Sequence, residues 1–204
     1  MVADAAAIGC IVLAAGASER LGQPKALVRI GERCLVEWVV SRLQTHGLEP
    51  LVVTNEEIID EVVASVNCEV VVNPEPGDGR TGTLQIGIRH IGVGVRQKIL
   101  VVPIDRPGFS DSTLLALLDS TATSCPAQGG RGGHPLLLSA EDAAKVLEGS
   151  PSVPLRNLIN PIRIEVTDPY LHLNVDREED LGWLVDASTG LGETPYQHPQ
   201  SRTD

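Results

Sequence analysis

Positions 8–15 carry no charged side chain and end on Gly16, a continuous apolar run that suits a strand covered on both faces in a parallel sheet. Leu35, Val36, Val39, Val40 and Leu43 then recur at helical spacing, and Gly47 is placed to stop that helix. Strands over 51–54 and 69–72 enclose a helix over 56–66. A helix from about Thr83 to Ile91 leads into a strand over 98–102, and Leu114, Leu115, Leu117 and Leu118 mark the helix after it. Alternation of strand and helix calls for right-handed crossovers and a mostly parallel sheet.

Beyond Cys125 the pattern loosens. Stretches 135–139 and 162–166 read as strands, with short helices near 141–147 and 177–185, so this half is expected to add an antiparallel edge or hairpin and make the sheet mixed. Asn73-Pro74-Glu75-Pro76-Gly77-Asp78-Gly79 concentrates turn formers and reads as a loop, on the sheet edge where α/β ligands bind. From Ala187 onward no apolar period remains. The expectation is one domain over 1–186 in three α/β/α layers, followed by a flexible tail over 187–204.

Charge narrows the partners. With 27 acidic against 16 basic side chains the formal net charge of the 204-residue chain is −11, which disfavours wrapping a nucleic-acid backbone. Aromatic residues at 2% leave few stacking platforms for single strands. Cys10, Cys34, Cys68 and Cys125 form no zinc-ligand spacing and read as reduced core thiols. Apolar runs are shorter than the ~20 residues of a membrane span, and 1–7 lack the basic cluster of a secretory leader. The expected compartment is the cytoplasm.

The chemistry concentrates in Leu13-Ala14-Ala15-Gly16-Ala17-Ser18-Glu19-Arg20-Leu21-Gly22-Gln23-Pro24-Lys25, directly after the first strand. Small residues let a backbone approach a ligand closely, and turns at Gly16 and Gly22 can aim several N–H groups at one anion. Arg20 can fork onto phosphate oxygens while Lys25 supplies a point charge on a long stem. It is not a P-loop, because Pro24 precedes Lys25 and Ala26 follows it; nor is it a dinucleotide fingerprint, which needs a third glycine at the strand end. Asp105 follows a buried strand between Pro103 and Pro107, so its carboxylate stands at the ligand edge of the sheet and suits a magnesium ligand. A turn or N-cap aspartate is the plainer alternative.

The loop resembles the signature of nucleotidyltransferases similar to molybdenum cofactor cytidylyltransferase and its guanylyl-transferring relatives. Gly82-Thr83-Leu84-Gln85-Ile86-Gly87-Ile88 resembles that family's helix start facing the nucleotide, and Val101-Val102-Pro103-Ile104-Asp105-Arg106-Pro107 its metal-binding strand end. Gly132-Gly133-His134-Pro135 resembles its glycine-histidine-proline turn, and Asn174-Val175-Asp176 its closing acidic segment. The family often has an acid where this chain has Asn174.

The resemblance implies a Rossmann-like, glycosyltransferase-A-like nucleotidyltransferase fold and transfer of a nucleotidyl group from an NTP to a phosphorylated acceptor such as molybdopterin. Mg²⁺ would be the cofactor, and a molybdoenzyme or accessory protein would receive the product. Leu13, Ala14, Ala15, Gly16, Arg20, Lys25, Thr54, Asp78, Gly79 and Thr83 are expected around the nucleotide. Arg20, Lys25 and Asp105 are expected to act in catalysis, with Asp105 and Asp176 on the metal. Asp176 reads equally as an N-cap of the helix near Arg177, and His134 either as an acceptor contact or as a histidine bonded to backbone. Guanylyl-transferring relatives tend to have glycine where this chain has Ala15, so CTP is expected over GTP. Two other readings share these residues: a nucleotidyltransferase for sugar phosphates or another small phosphate, and a non-catalytic nucleotide-binding accessory protein.

Overall fold

The computed structural model describes residues 8–92 and 98–191. Its centre is β1 (Ile8–Leu13), buried at every position. Strand β4 (Pro50–Thr54) lies parallel on one side of it and β6 (Lys98–Pro103) parallel on the other, so that Ile11 pairs with Leu51 and with Val101. Parallel β5 (Glu69–Val72) closes the β4 side. Beyond β6 comes β9 (Leu136–Ser139), which runs antiparallel, then β7 (Ser124–Gln128), with β10 (Ile162–Glu165) parallel to β7 at the edge. A short strand, β8 (Arg131–Gly132), folds back on β7. The sheet is therefore mostly parallel but mixed, and β2 (Arg29–Ile30) and β3 (Arg33–Cys34) form a separate antiparallel pair.

Side chains of β1 alternate between two cores, as strand geometry requires. Cys10 and Val12 pack with α1 (Leu35–Thr45), α2 (Ile59–Ser65), α4 (Asp111–Leu118) and α6 (Asp180–Gly190). Ile11 and Leu13 pack with α3 (Gly79–Ile91) and α5 (Ala140–Glu148). These are the three layers expected. Helix α3 lies close on the sheet because Gly87 has no side chain: a Cβ there would stand 2.8 Å from Ile11 Cγ2 and 3.1 Å from Val53 Cγ2. That close fit sets the first turn of α3 beside the loop that follows β1.

Several boundaries differ from the sequence reading. Helix α2 starts at Ile59, after the Asn55 side chain caps a turn by accepting from the Glu57 N–H at 3.0 Å. Helix α3 starts at Gly79, although Gly79 and Gly82 look like turn residues; Asp78 and Pro151 lie too close to Gly82 for a larger side chain. Helix α6 covers Asp180–Gly190 rather than 177–185. Its Ala187 is fully buried and Ser188 nearly so, which places both in the folded layer and not in a tail. Residues 1–7 and 192–204, where a leader was discounted and a tail expected, lie outside the described residues.

Candidate active site

The loop after β1 is held by its own polar groups. The Ala14 N–H donates to the Val53 carbonyl at 2.8 Å, and Asn55 Nδ2 donates to the Ala15 carbonyl at 3.3 Å. Ser18 takes a left-handed φ of 55°; its Oγ accepts from the Lys25 N–H at 3.0 Å and donates to the Gly16 carbonyl at 3.3 Å. Leu21 is buried and Ala26, in the short 3-10 turn Lys25–Leu27, is 1% exposed. Both ends of the loop are thus anchored in the core, while Gly16 and Ala17 between them stay open to solvent.

Across the sheet edge, the Ile104 N–H donates to the Leu13 carbonyl at 3.0 Å, carrying the β1–β6 pairing one step past the strands to Asp105. The Asp105 carboxylate is mostly buried and accepts from Arg80 Nη2 at 2.7 Å. Its carbonyl accepts from the Val175 N–H at 2.9 Å, which brings the Asn174-Val175-Asp176 segment alongside. Asp176 in turn accepts from Lys25 Nζ at 2.6 Å and from Arg20 Nη1 at 2.9 Å. The hydrogen bonds from Lys25 and then Arg20 hold its carboxyl down at about 2. The N-cap alternative for Asp176 fails, because the helix begins at Asp180 with Glu179 at its N-cap and both Asp176 carboxylate oxygens are taken by Lys25 and Arg20; Asp180 itself accepts from the Asp176 and Arg177 N–H groups at 2.9 and 2.8 Å.

Two adjoining cavities open at this edge. The smaller, about 230 Å³, is lined by Leu13, Ala14, Ala15, Gly16, Lys25 and Asp105, with Gly79 and Thr83 on the α3 side. Thr83 Oγ1 donates to the Gly79 carbonyl and accepts from Asn73 Nδ2, both at 3.0 Å. The larger, about 730 Å³, lies under β9 and the 151–163 segment and takes in His134, Arg156 and Arg163. Asp78 lines this second cavity rather than the first. Thr54 lines neither: it ends β4 fully buried, and the neighbouring Asn55 is the residue that reaches the loop.

Burial, reinforced by the cation of Arg80, lowers His134 from its ordinary 6.5 to about 4, so the ring is neutral near pH 7. Its Nδ1 is buried with no hydrogen-bond partner among the described residues, leaving that nitrogen free of the backbone bond that a structural histidine makes.

Two arginines escape the sequence reading. Arg80 binds Asp105 from the first turn of α3, a stretch that reads as loop in sequence. Arg42, on α1, is 8% exposed and sits between the rings of Trp38 and Phe109, at 5.0 and 4.9 Å. It donates to the Pro107 carbonyl at 3.3 Å and to that of Phe109 at 2.6 Å, and so pins the turn after Asp105. Burial lowers its pKa, Asp111 counteracts that, and at near-neutral pH it remains a cation. A basic residue amid the apolar positions of a helix was the available signal for Arg42.

The family model described as a MobA-like NTP transferase domain matches residues 10–166. A probable molybdenum cofactor guanylyltransferase of Bacillus mycoides (strain KBAB4) is 29% identical over 114 residues, 55% of this chain and 56% of that protein. One of Carboxydothermus hydrogenoformans, also a probable molybdenum cofactor guanylyltransferase, is 32% identical over 96 residues, 47% of this chain and 45% of its own. The chain thus spans about half the length of the curated relatives it matches. Among solved structures, the Mycobacterium sp. strain JC1 homologue of a Mycobacterium tuberculosis protein superposes with a TM-score of 0.75 at 23% identity, over 92% of this chain and 99% of its own. A manganese complex of the Mycobacterium tuberculosis protein superposes at 0.69 with 19% identity, over 88% and 98% of the two chains. Both share the fold.

Proposed function

Because the chain belongs to the family of MobA-like NTP transferase domains, we propose that it transfers a nucleotidyl group from an NTP to a phosphorylated acceptor, with molybdopterin the favoured acceptor. The observation that carries this reading is the convergence of the 13–18 loop, Lys25 and Asp105 on one cavity. Loop N–H groups and Lys25 suit a triphosphate; Arg20, exposed and bound to Asp176 but lining neither cavity, would reach the leaving pyrophosphate from outside. Transfer of this kind needs alignment and charge neutralisation more than a covalent nucleophile. An acceptor phosphate is already ionised at neutral pH, so the neutral ring of His134 is not required as a base and is suited to contacting the acceptor.

Asp105 and Asp176 fit a divalent ion, magnesium by this proposal: both offer carboxylate oxygens at one sheet edge, joined through the Val175–Asp105 bond. Magnesium is commonly held by one or two carboxylates plus substrate phosphates. Among the described residues no group of three or more histidine, cysteine or acidic side chains could hold a metal, so by this proposal the remaining ligands would come from the triphosphate. When bound, the ion would neutralise charge on the phosphates; Lys25 and Arg20 would then be released from Asp176 towards those same oxygens.

For the base, the proposal remains CTP. Ala15 lines the smaller cavity but is only 2% exposed, so the preference should be shallow. The names of the two curated relatives favour GTP as the second reading. Pyrophosphate release measured with each of four NTPs and molybdopterin tests both levels. Release with no NTP would remove the transferase reading, and release with GTP in preference to CTP would remove the cytidylyl one. By this proposal the reaction runs in the cytoplasm, with a molybdoenzyme or accessory protein as the recipient of its product.

A further inference from the structure

The two cavities share four wall residues, Leu13, Gly79, Arg80 and Pro103. Among the described residues Arg80 is the one charged side chain that lines both. Its side chain is 57% exposed and is held by a single partner, Asp105, whose carboxylate is only 12% exposed. The arginine therefore has solvent on its open side, while the carboxylate that holds it is set into the sheet edge. Around it the larger cavity takes Arg156, Arg163 and the neutral His134, against one carboxylate, that of Asp78. In a chain of net charge −11, that is a local reversal of sign, and it marks the larger cavity for an anion.

Resting on the proposed transferase reading, we propose that Arg80 is a catalytic residue that contacts the acceptor phosphate and the α-phosphate of the NTP together. Bringing a phosphate dianion against a triphosphate is opposed by like charge, and a cation at their boundary offsets it. Lys25 lines only the nucleotide side, and Arg156 and Arg163 only the acceptor side. Arg80 alone borders both, and its planar fork can donate to two oxygens at once. In the reaction one acceptor oxygen forms a bond to the α-phosphorus while the bond from that phosphorus to the bridging oxygen of the β-phosphate breaks. The electron pair leaves on pyrophosphate, and no proton need move. Asp105 holds Arg80 until the nucleotide arrives, and exchange of that partner turns the guanidinium towards the incoming anions.

The test uses the full chain with Arg80→Met and Arg80→Lys, alongside Arg156→Met. Binding of magnesium and the non-hydrolysable α,β-methylene analogue of CTP is measured first, and inorganic phosphate is then titrated into that complex as the acceptor probe. Arg80→Met should weaken binding of the analogue and of the phosphate by at least roughly 10-fold each, and lower kcat for pyrophosphate release by roughly 100-fold. Arg80→Lys should recover part of each loss. Phosphate affinity unchanged in Arg80→Met, or weakened only as much as in Arg156→Met, overturns the proposal. A wild-type chain that releases no pyrophosphate but binds phosphate through Arg80 would sink the transferase reading and leave the two-anion contact standing.

Discussion

The N–H of Val175 donates to the carbonyl of Asp105 at 2.9 Å, across seventy positions of sequence. This backbone bond does not involve the Asp105 carboxylate, which is bound instead by Arg80. Position and chemistry at Asp105 are therefore separable by mutation.

Asp105→Ala should accordingly leave the fold intact and lower turnover by roughly 100-fold or more, the usual loss when one transition-state electrostatic contact is removed. Thermal melting alongside pyrophosphate release checks both halves of the statement. Activity near that of the wild type with Mg²⁺ would take Asp105 out of the metal site.

Lys25→Ala should act on binding as well as catalysis. The side chain is 14% exposed and its bond to Asp176 is short at 2.6 Å, so a triphosphate that replaces Asp176 would meet a donor with little solvent around its stem. A hydrogen bond to a charged group contributes about 1.5–3 kcal/mol, equivalent to roughly 10- to 150-fold in the Kd of the nucleotide. Calorimetry with metal and NTP reads this directly; an unchanged Kd would reassign Lys25 to holding Asp176 alone.

Stability should fall in mild acid because of His134. The unfolded ring takes up its proton near 6.5 and the folded ring only near 4. Between those values the unfolded chain binds more protons, so this contribution is complete above 6.5 and is lost as pH drops towards 4. Its size is on the order of 3 kcal/mol if the whole shift is realised. Urea midpoints measured from pH 7.5 to 4.5 should decline in the wild type and flatten over that window in His134→Asn; parallel curves would assign the acid sensitivity to other groups.

Ala15→Gly should move the ratio of kcat/KM for CTP over GTP towards GTP by no more than about 10-fold, the low end of what a methyl-sized change gives, because that methyl is buried. Measuring both nucleotides in both proteins decides it. A ratio that does not move would remove Ala15 from base selection.

The strands nearest the site were legible because β1, β4 and β6 are covered on both faces over most of their length and so carry the apolar runs 8–13, 51–53 and 99–102. Strand β7 was not: Ser124-Cys125-Pro126-Ala127-Gln128 lacks β-branched residues and contains a proline, and it is a strand through its neighbours β8, β9 and β10. Lys25 and Asp105 line one cavity because the loop after β1 and the end of β6 lie on one edge of the sheet. Arg80 was missed for a different reason. Its contact with Asp105 spans twenty-five positions, and the glycines beside it conceal the helix turn that aims it.

The stacking of Arg42 between Trp38 and Phe109 gives the protein an optical consequence. Of its two tryptophans, Trp38 is 1% exposed whereas Trp183 is 63% exposed. A collisional quencher such as iodide should silence Trp183 and leave Trp38 emitting. Since Arg42 touches that indole and also grips the turn after Asp105, the surviving emission would report displacements of the turn, with no label attached.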